Sequence, residues 1–261
     1  TLICQNGVQS LYSEINIFDK IIAVDFLKSA VNPIERVKTI KKIREVYYDI
    51  VIDPVGIFDY TTNVLMVRNA LGKEKIGIID YNKKIFISDK FISKIYTKTY
   101  TILEKEILPL IEYYQKVINL ISNNNINHEV GLIPTKTGKC KIKLPKKYFV
   151  IFPGASIELK RWPIERYKEI AQKIYDKTNM PLVVCGTEGD RDSVEELLYG
   201  LNIEFYNFLG MTNLNDYFCI IKQASFVITN DTSAYHISVA NETPVVIVSG
   251  CYDYSRYIEY N

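Results

Sequence analysis

The chain has 261 residues, room for two small domains, and its 48% hydrophobic and 24% charged content is that of an ordinary globular protein, not a disordered or fibrous one. Its 32 basic and 30 acidic residues leave a formal net charge of +2, which gives no electrostatic footprint for nucleic acid. Five cysteines, an odd count without a CxxC pair, argue against a disulfide framework or structural zinc and for reduced thiols in a cytosolic setting.

No apolar run approaches the roughly 18 residues of a membrane span, and nothing at the start reads as a signal peptide. The chain opens on Thr1, and segment 1–12 reads as a chain already in progress, so a fragment at both ends is expected. Residues 20–25 predict a strand ending in an acid. Residues 34–48 carry Ile34, Val37, Ile40, Ile43 and Val46 on one helical face. A strand at 48–56 is followed by a Pro/Gly break, a helix at 61–72 is stopped by Gly72, and a strand lies at 75–79. A longer helix is expected over 100–121, kinked or split by Pro109. Residues 122–147 are polar and rich in Asn, Lys and Gly, which marks a linker; its basic run from Lys136 to Lys147 reads as solvated chain.

The second half alternates more cleanly. Strands are predicted at 148–152, 181–186, 225–229 and 244–250, with a short one inside 203–210. Helices are predicted at 163–177, with Pro163 in first position, and at 191–200, 213–224 and 232–240. Near-continuous apolar strands alternating with helices indicate parallel sheets covered on both faces. Two such α/β domains follow, 1–145 and 146–261. Ligands of open α/β sheets lie at the carboxyl ends of the strands, so the post-strand loops carry the functional question.

Three loops of the second half stand out. In 152–163, Gly154 permits a tight turn, Ser156 offers a hydroxyl, and Lys160 and Arg161 precede a helix N-terminus, a setting suited to phosphate. The plainer reading makes the two cations solvated and Trp162 a cover for the core. In 183–192, Gly186 ends a strand, Glu188 can accept hydrogen bonds from a ribose diol, and Asp190 and Asp192 suit the first turn of a helix. In 226–250, Asn230 or Asp231 is expected to cap a helix beginning near Thr232. The N–H groups of Thr232, Ser233 and Ala234 would then point outward as a phosphate cradle, with His236 one turn deeper on the same face. The alternative is a capped helix with a half-buried histidine. Asp231, Ser233 and His236 have the residue types of a hydrolase triad, but they crowd into six residues without a GxSxG elbow. Two histidines outside any ligand cluster argue against a protein-held catalytic metal. No GxGxxG follows a strand, which argues against a nicotinamide-dependent oxidoreductase.

Three strings, FVIFPGASIELKRWPIERYKEIAQKI, PLVVCGTEGD and FLGMTNLNDYFCIIKQASFVITNDTSAYHISVANETPVVIVSG, together span 149–250. In order and spacing this segment resembles glycosyltransferase family 9, the ADP-heptose:lipopolysaccharide heptosyltransferases. The first half, with YDIVIDPVGIFDY and LGKEKIGI, is similar only loosely. The resemblance implies a GT-B architecture, two Rossmann-like domains facing across a cleft, with the nucleotide sugar on the second. It implies that Ser156 and Lys160 contact the diphosphate, Lys160 stabilising the departing ADP; that Glu188 binds the ribose; and that Thr212 lies near the adenine. Asp231, Thr232, Ser233, Ala234 and His236 would form the site for the phosphates and donor sugar.

The chain departs from the family at Ser233, where glycine is usual, and in 251–260, where Arg256 is expected to face the cleft. The family's proposed base, an Asp after a Gly in the first strand–helix loop, has no counterpart here: the only Gly-Asp pair is Gly189–Asp190 in the other half. Asp25, Asp53 and Asp59 remain, and none is promoted to base. The expected activity is inverting, metal-independent and cofactor-free transfer of heptose from an ADP-sugar to a lipopolysaccharide-core or related glycan. The implied partners are that donor and a glycan or glycolipid acceptor, with no nucleic acid. The expected location is the cytoplasm, with peripheral contact at the inner membrane face. The alternative is a nucleotide-sugar-binding module without turnover.

Overall fold

Every paired strand among the described residues is parallel. The computed structural model describes residues 1–15, 17–55, 57, 63–80, 88–102, 108–125 and 142–250. The chain divides into two units, Thr1–Glu129 and Val130–Tyr254, the final residues apart.

The first unit runs β1 (Leu2–Gln5), α1 (Gln9–Ile15), β2 (Ile21–Val24), α2 (Phe26–Val31), α3 (Pro33–Ile43), β3 (Tyr47–Asp53) and α4 (Leu65–Asn69). It continues with β4 (Leu71–Asp80), α5 (Asp89–Ile92), β5 (Lys98–Ile102) and α6 (Leu110–Ser122). β1 pairs with β2, while β3, β4 and β5 make a separate three-stranded sheet. Local chemistry sets the helix starts. Asp25 accepts the Lys28 N–H at the head of α2, and Asn32 both ends α2 and accepts the Ile34 and Glu35 N–H groups at the head of α3. Ile22, Val24, Ile43, Leu65 and Met66 form one core cluster; Ile57, Val64, Val67, Ile92, Ile95 and Tyr96 form another.

Two expectations for this half are corrected. The helix expected over 61–72 ends at Asn69 with α4, and Gly72, read as its stop, lies inside β4. A Cβ there would stand 2.9 Å from a Val51 methyl, so glycine lets β4 lie close against β3. In the helix expected over 100–121, the first residues belong to strand β5, and α6 starts at Leu110, with Pro109 immediately before it. Lys98–Ile102 is β-branched and aromatic, and its pairing with Ile76–Asp80 outweighs the local helical pattern. The apolar face of α3 also differs from expectation: Ile43 is buried, but Ile34 is 68% and Val37 52% exposed.

The second unit follows its predicted elements to within a few residues: β6 (Phe149–Phe152), α7 (Ile164–Thr178), β7 (Leu182–Gly186), α8 (Arg191–Leu198), β8 (Phe205–Leu209), α9 (Leu214–Gln223), β9 (Phe226–Asn230), α10 (Ser233–Ala240) and β10 (Val245–Val248). The strand order is β10-β9-β6-β7-β8. All four residues of β6 are buried. Phe149, Ile151, Tyr167, Leu182, Val184, Leu197 and Ile228 share one core with the helices. From central β6 the chain winds outward to β8, then crosses back to β9 on the other side. The winding therefore reverses between β6 and β9, and a crevice opens at their carboxyl ends. Cys185 is a free, buried thiol as expected, whereas Cys219 is disulfide-bonded, which corrects the expectation of reduced thiols throughout.

Candidate functional site

β6 and β9 pair with Phe152 opposite Thr229, so the loops 153–156 and 231–232 leave the sheet side by side. Asn230 ties them together. Its side chain is fully buried; Nδ2 donates to the carbonyls of Pro153 (2.8 Å) and Gly154 (3.2 Å), and Oδ1 accepts from the Trp162 N–H (3.0 Å) and the Tyr167 hydroxyl (2.8 Å). Asn230 is therefore a tie between loop and helix, not the expected cap. Nor is Asp231 the cap. Thr232 caps α10, accepting the Ala234 N–H at 3.2 Å while its hydroxyl lies 2.9 Å from that of Thr229. The cradle is thus narrower than expected, because the Ala234 N–H is taken by the cap and Ala234 is buried.

Asp231 is released from capping to pair with Lys160, Nζ to Oδ2 at 2.6 Å, with side chains 10% and 18% exposed respectively. Lys160 stands on a short 3-10 turn, Glu158–Lys160, between β6 and α7. The solvated reading of the two cations therefore fails for Lys160. Arg161 is exposed and donates to the Ala155 carbonyl at 3.3 Å. His236 is half-buried with its ring 5.3 Å from that of Tyr235. Burial lowers its pKa; Asp231 opposes that shift and Lys160 reinforces it.

The loop after β7 forms the other wall. The Thr187 N–H and hydroxyl both donate to Asp190 Oδ2, at 2.9 and 2.8 Å, closing a capping box. The Asp190 carboxylate fills the space beside Gly154 and Gly186: a Cβ on Gly154 would collide with Oδ1, and one on Gly186 would stand 3.0 Å from Oδ2. Glu188 accepts from Arg191 at 2.9 Å and lies over Gly210, whose φ is +67°.

These walls enclose a crevice of about 680 Å³, within the usual range for small-molecule sites, roughly 300–1,000 Å³. Of the residues singled out in the sequence, Ser156, Glu188, Thr212, Asp231, Thr232 and Ser233 line it. Lys160, Ala234 and His236 do not; Lys160 reaches it through Asp231, and the other two stand behind the lining. Asp190, Asn213 and Tyr217 line it without having been expected there. A polar residue ending an apolar strand was the available signal for Asn230; Tyr217, inside a helical pattern, gave none. The wall combines hydroxyls, a helix N-terminus with an ion pair at one end, and two carboxylates at the other. It can hold an anion at the first and accept from ligand hydroxyls at the second.

Of the acids weighed as bases, Asp25 caps α2. Asp53 is 2% exposed and accepts from the Tyr96 hydroxyl at 2.7 Å and Asn63 Nδ2 at 2.6 Å. Asp59, Arg256 and the first half of the basic run, 136–141, lie outside the described residues. Among the described residues no group of three or more His, Cys, Asp or Glu is placed to hold a metal, and no helix is long and apolar enough to cross a membrane.

The family model for glycosyltransferase family 9 (heptosyltransferase) matches residues 36–258. Lipopolysaccharide heptosyltransferase 2 of Escherichia coli is 31% identical over 103 residues, 38% of this chain and 29% of that protein. The lipopolysaccharide core heptosyltransferase OpsX of Haemophilus influenzae is 28% identical over 122 residues, 46% of this chain and 35% of that protein. The matches therefore span about a third of these relatives' length or less. Among solved structures, a family 9 glycosyl transferase from Veillonella parvula superposes with a TM-score of 0.77 at 16% identity, covering 99% of this chain and 74% of that one. The E. coli heptosyltransferase WaaC with ADP gives 0.71 at 17% identity, covering 94% and 75%. At such identities the likeness shows the fold, the GT-B class with its Rossmann-like units.

Proposed function

Because this chain belongs to glycosyltransferase family 9, we propose that it transfers a sugar, heptose, from an ADP-sugar to a lipopolysaccharide-core or related glycan acceptor. The observation that carries the proposal is the crevice at the β6–β9 reversal, where the Lys160–Asp231 pair stands beside the N-terminus of α10. That end of the crevice suits the diphosphate. Ser156 and the head of α10 donate to its oxygens, and Lys160 turns from Asp231 towards the charge that builds on the leaving ADP. Glu188 accepts from the ribose hydroxyls, Thr212 lies beside the base, and His236 supports Asp231 from behind. The acceptor hydroxyl displaces ADP in one inverting step. Neither a metal ion nor an organic cofactor takes part in this scheme, since Lys160 and the helix end carry the neutralising charge. The E. coli relative solved with ADP supports adenine as the base.

The same proposal places the protein in the cytoplasm with peripheral contact to an anionic membrane surface. Leu27, Val31, Ile34 and Val37 support that contact: 75%, 73%, 68% and 52% exposed on α2 and α3, among the exposed Lys28, Lys38, Lys41 and Lys42. Co-sedimentation with vesicles containing anionic lipid, and none with neutral vesicles, is the expected result.

A second reading, binding without turnover, is favoured by one observation: Asp25 and Asp53 are both engaged in hydrogen bonds within the first unit. Calorimetric titration with ADP, ADP-heptose, UDP and NAD tests the shared part. Adenine-selective binding is expected, weakened roughly 10- to 100-fold by Lys160→Ala and by Asp231→Ala. A folded protein that binds none of the four ligands would reject both readings. Release of ADP from ADP-heptose in the presence of glycan acceptor then separates transfer from binding.

A further inference from the structure

Ser233 opens α10 at the rim of the crevice, exposed, with its Oγ 3.1 Å from the Tyr217 hydroxyl. Tyr217 comes from α9, and its ring stands edge-on to Phe152 at the end of β6, centroids 5.2 Å apart at 85°. Three elements thus converge on one pair of hydroxyls, and both residues line the crevice. Burial raises the Tyr217 pKa, so the phenol stays protonated and able to donate. Two hydroxyls carry two protons, and the bond between them uses one. The other is left to donate to an acceptor in the crevice. The character of that acceptor follows from the surroundings. The pair sits at the head of α10, which favours negative charge, while the carboxylates Glu188 and Asp190 belong to the loop after β7. The head of α10 therefore favours an anion at the hydroxyl pair, against the Asp190 charge that also acts on Tyr217, while the β7 loop with both carboxylates disfavours one.

We propose that the Tyr217–Ser233 hydroxyl pair reads the diphosphate of the donor, joining α9 and α10 on its oxygens, so that these two side chains set the preference for a nucleoside diphosphate over its nucleoside. This rests on the nucleotide-sugar reading above. The pair acts as a unit, because each hydroxyl orients the proton of the other. Removing either one removes most of what both provide.

The test is titration of the full chain with ADP, adenosine and ADP-heptose, using wild type, Tyr217→Phe, Ser233→Ala and the double variant. Tyr217→Phe keeps the ring against Phe152, and Ser233→Ala keeps the Cβ, so thermal midpoints are expected to stay close to wild type. Each single variant is expected to lose about 5- to 10-fold in ADP affinity, with adenosine affinity unchanged and the double variant little worse than the singles. Equal losses for ADP and adenosine would reveal a structural effect and overturn the proposal. So would a loss seen with ADP-heptose alone, which would assign the pair to the sugar, and so would unchanged ADP affinity in both variants. Wild type that binds no adenine compound would reject the nucleotide-sugar reading and the hydroxyl pair with it. Wild type that binds ADP while the variants match it rejects the pair alone.

Discussion

Asn230 makes four hydrogen bonds from a side chain with no exposed surface, and its partners lie on the turn after β6, just before α7 and on α7. Asn230→Ala would leave two carbonyls, an N–H and a hydroxyl without these partners. A loss of roughly 2–4 kcal/mol in unfolding free energy is expected, and an unchanged denaturant midpoint would show that the tie is not needed. His236 makes a different prediction. Burial holds its folded pKa below the ordinary 6.5, so the unfolded chain binds the proton more readily. The stability gained from a neutral ring is complete above about pH 6.5 and is lost as pH falls through the lower, folded pKa. Thermal midpoints from pH 8 to pH 5 should therefore fall more steeply for wild type than for His236→Gln; parallel curves would exclude the effect. Residues such as Ser156, Asp231, Thr232 and Ser233 were legible because polar side chains directly after apolar strands face the ligand end of a sheet. The tie made by Asn230 was not, because its partners lie 63 to 77 positions away in sequence.

The two loops that meet at Gly154 behave as one element. The Asp190 carboxylate is held by Thr187 through a capping box and occupies the space a Gly154 side chain would need. Gly154→Ala is expected to destabilise the second unit by roughly 1–3 kcal/mol through overpacking. Asp190→Ala should remove much of that penalty, and a double-mutant cycle that sums to additivity within about 0.5 kcal/mol would refute the coupling. The strands and helices of this unit were readable because the central strands β6, β7 and β9 are buried on both faces and α7, α8 and α9 each carry an apolar stripe. The first unit was less readable at the same scale. Lys98–Ile102 and the helix after Pro109 read in sequence as one helical run broken at Pro109, and only pairing to β4 makes its first residues a strand.

Across the whole molecule, the residues that line the crevice belong to the second unit. Hydrogen exchange with and without ADP is expected to slow in β6, β9 and the first turn of α10 and to stay unchanged in β3, β4 and β5. Equal protection of both units would place the ligand elsewhere. The sequence by itself determined the α/β class, the family, and the loops from which the site is built, because burial pattern, turn residues and post-strand polarity are local properties of the chain. Tertiary structure alone decided which side chains share that site. It paired Lys160 with Asp231 across 71 positions, moved the cap of α10 to Thr232, set Asp190 against two glycines, and brought Tyr217 onto Ser233. The physical reason is the strand order: β9 lies beside β6 only because the chain reverses its winding there, and that long-range pairing leaves no trace in any local window of sequence.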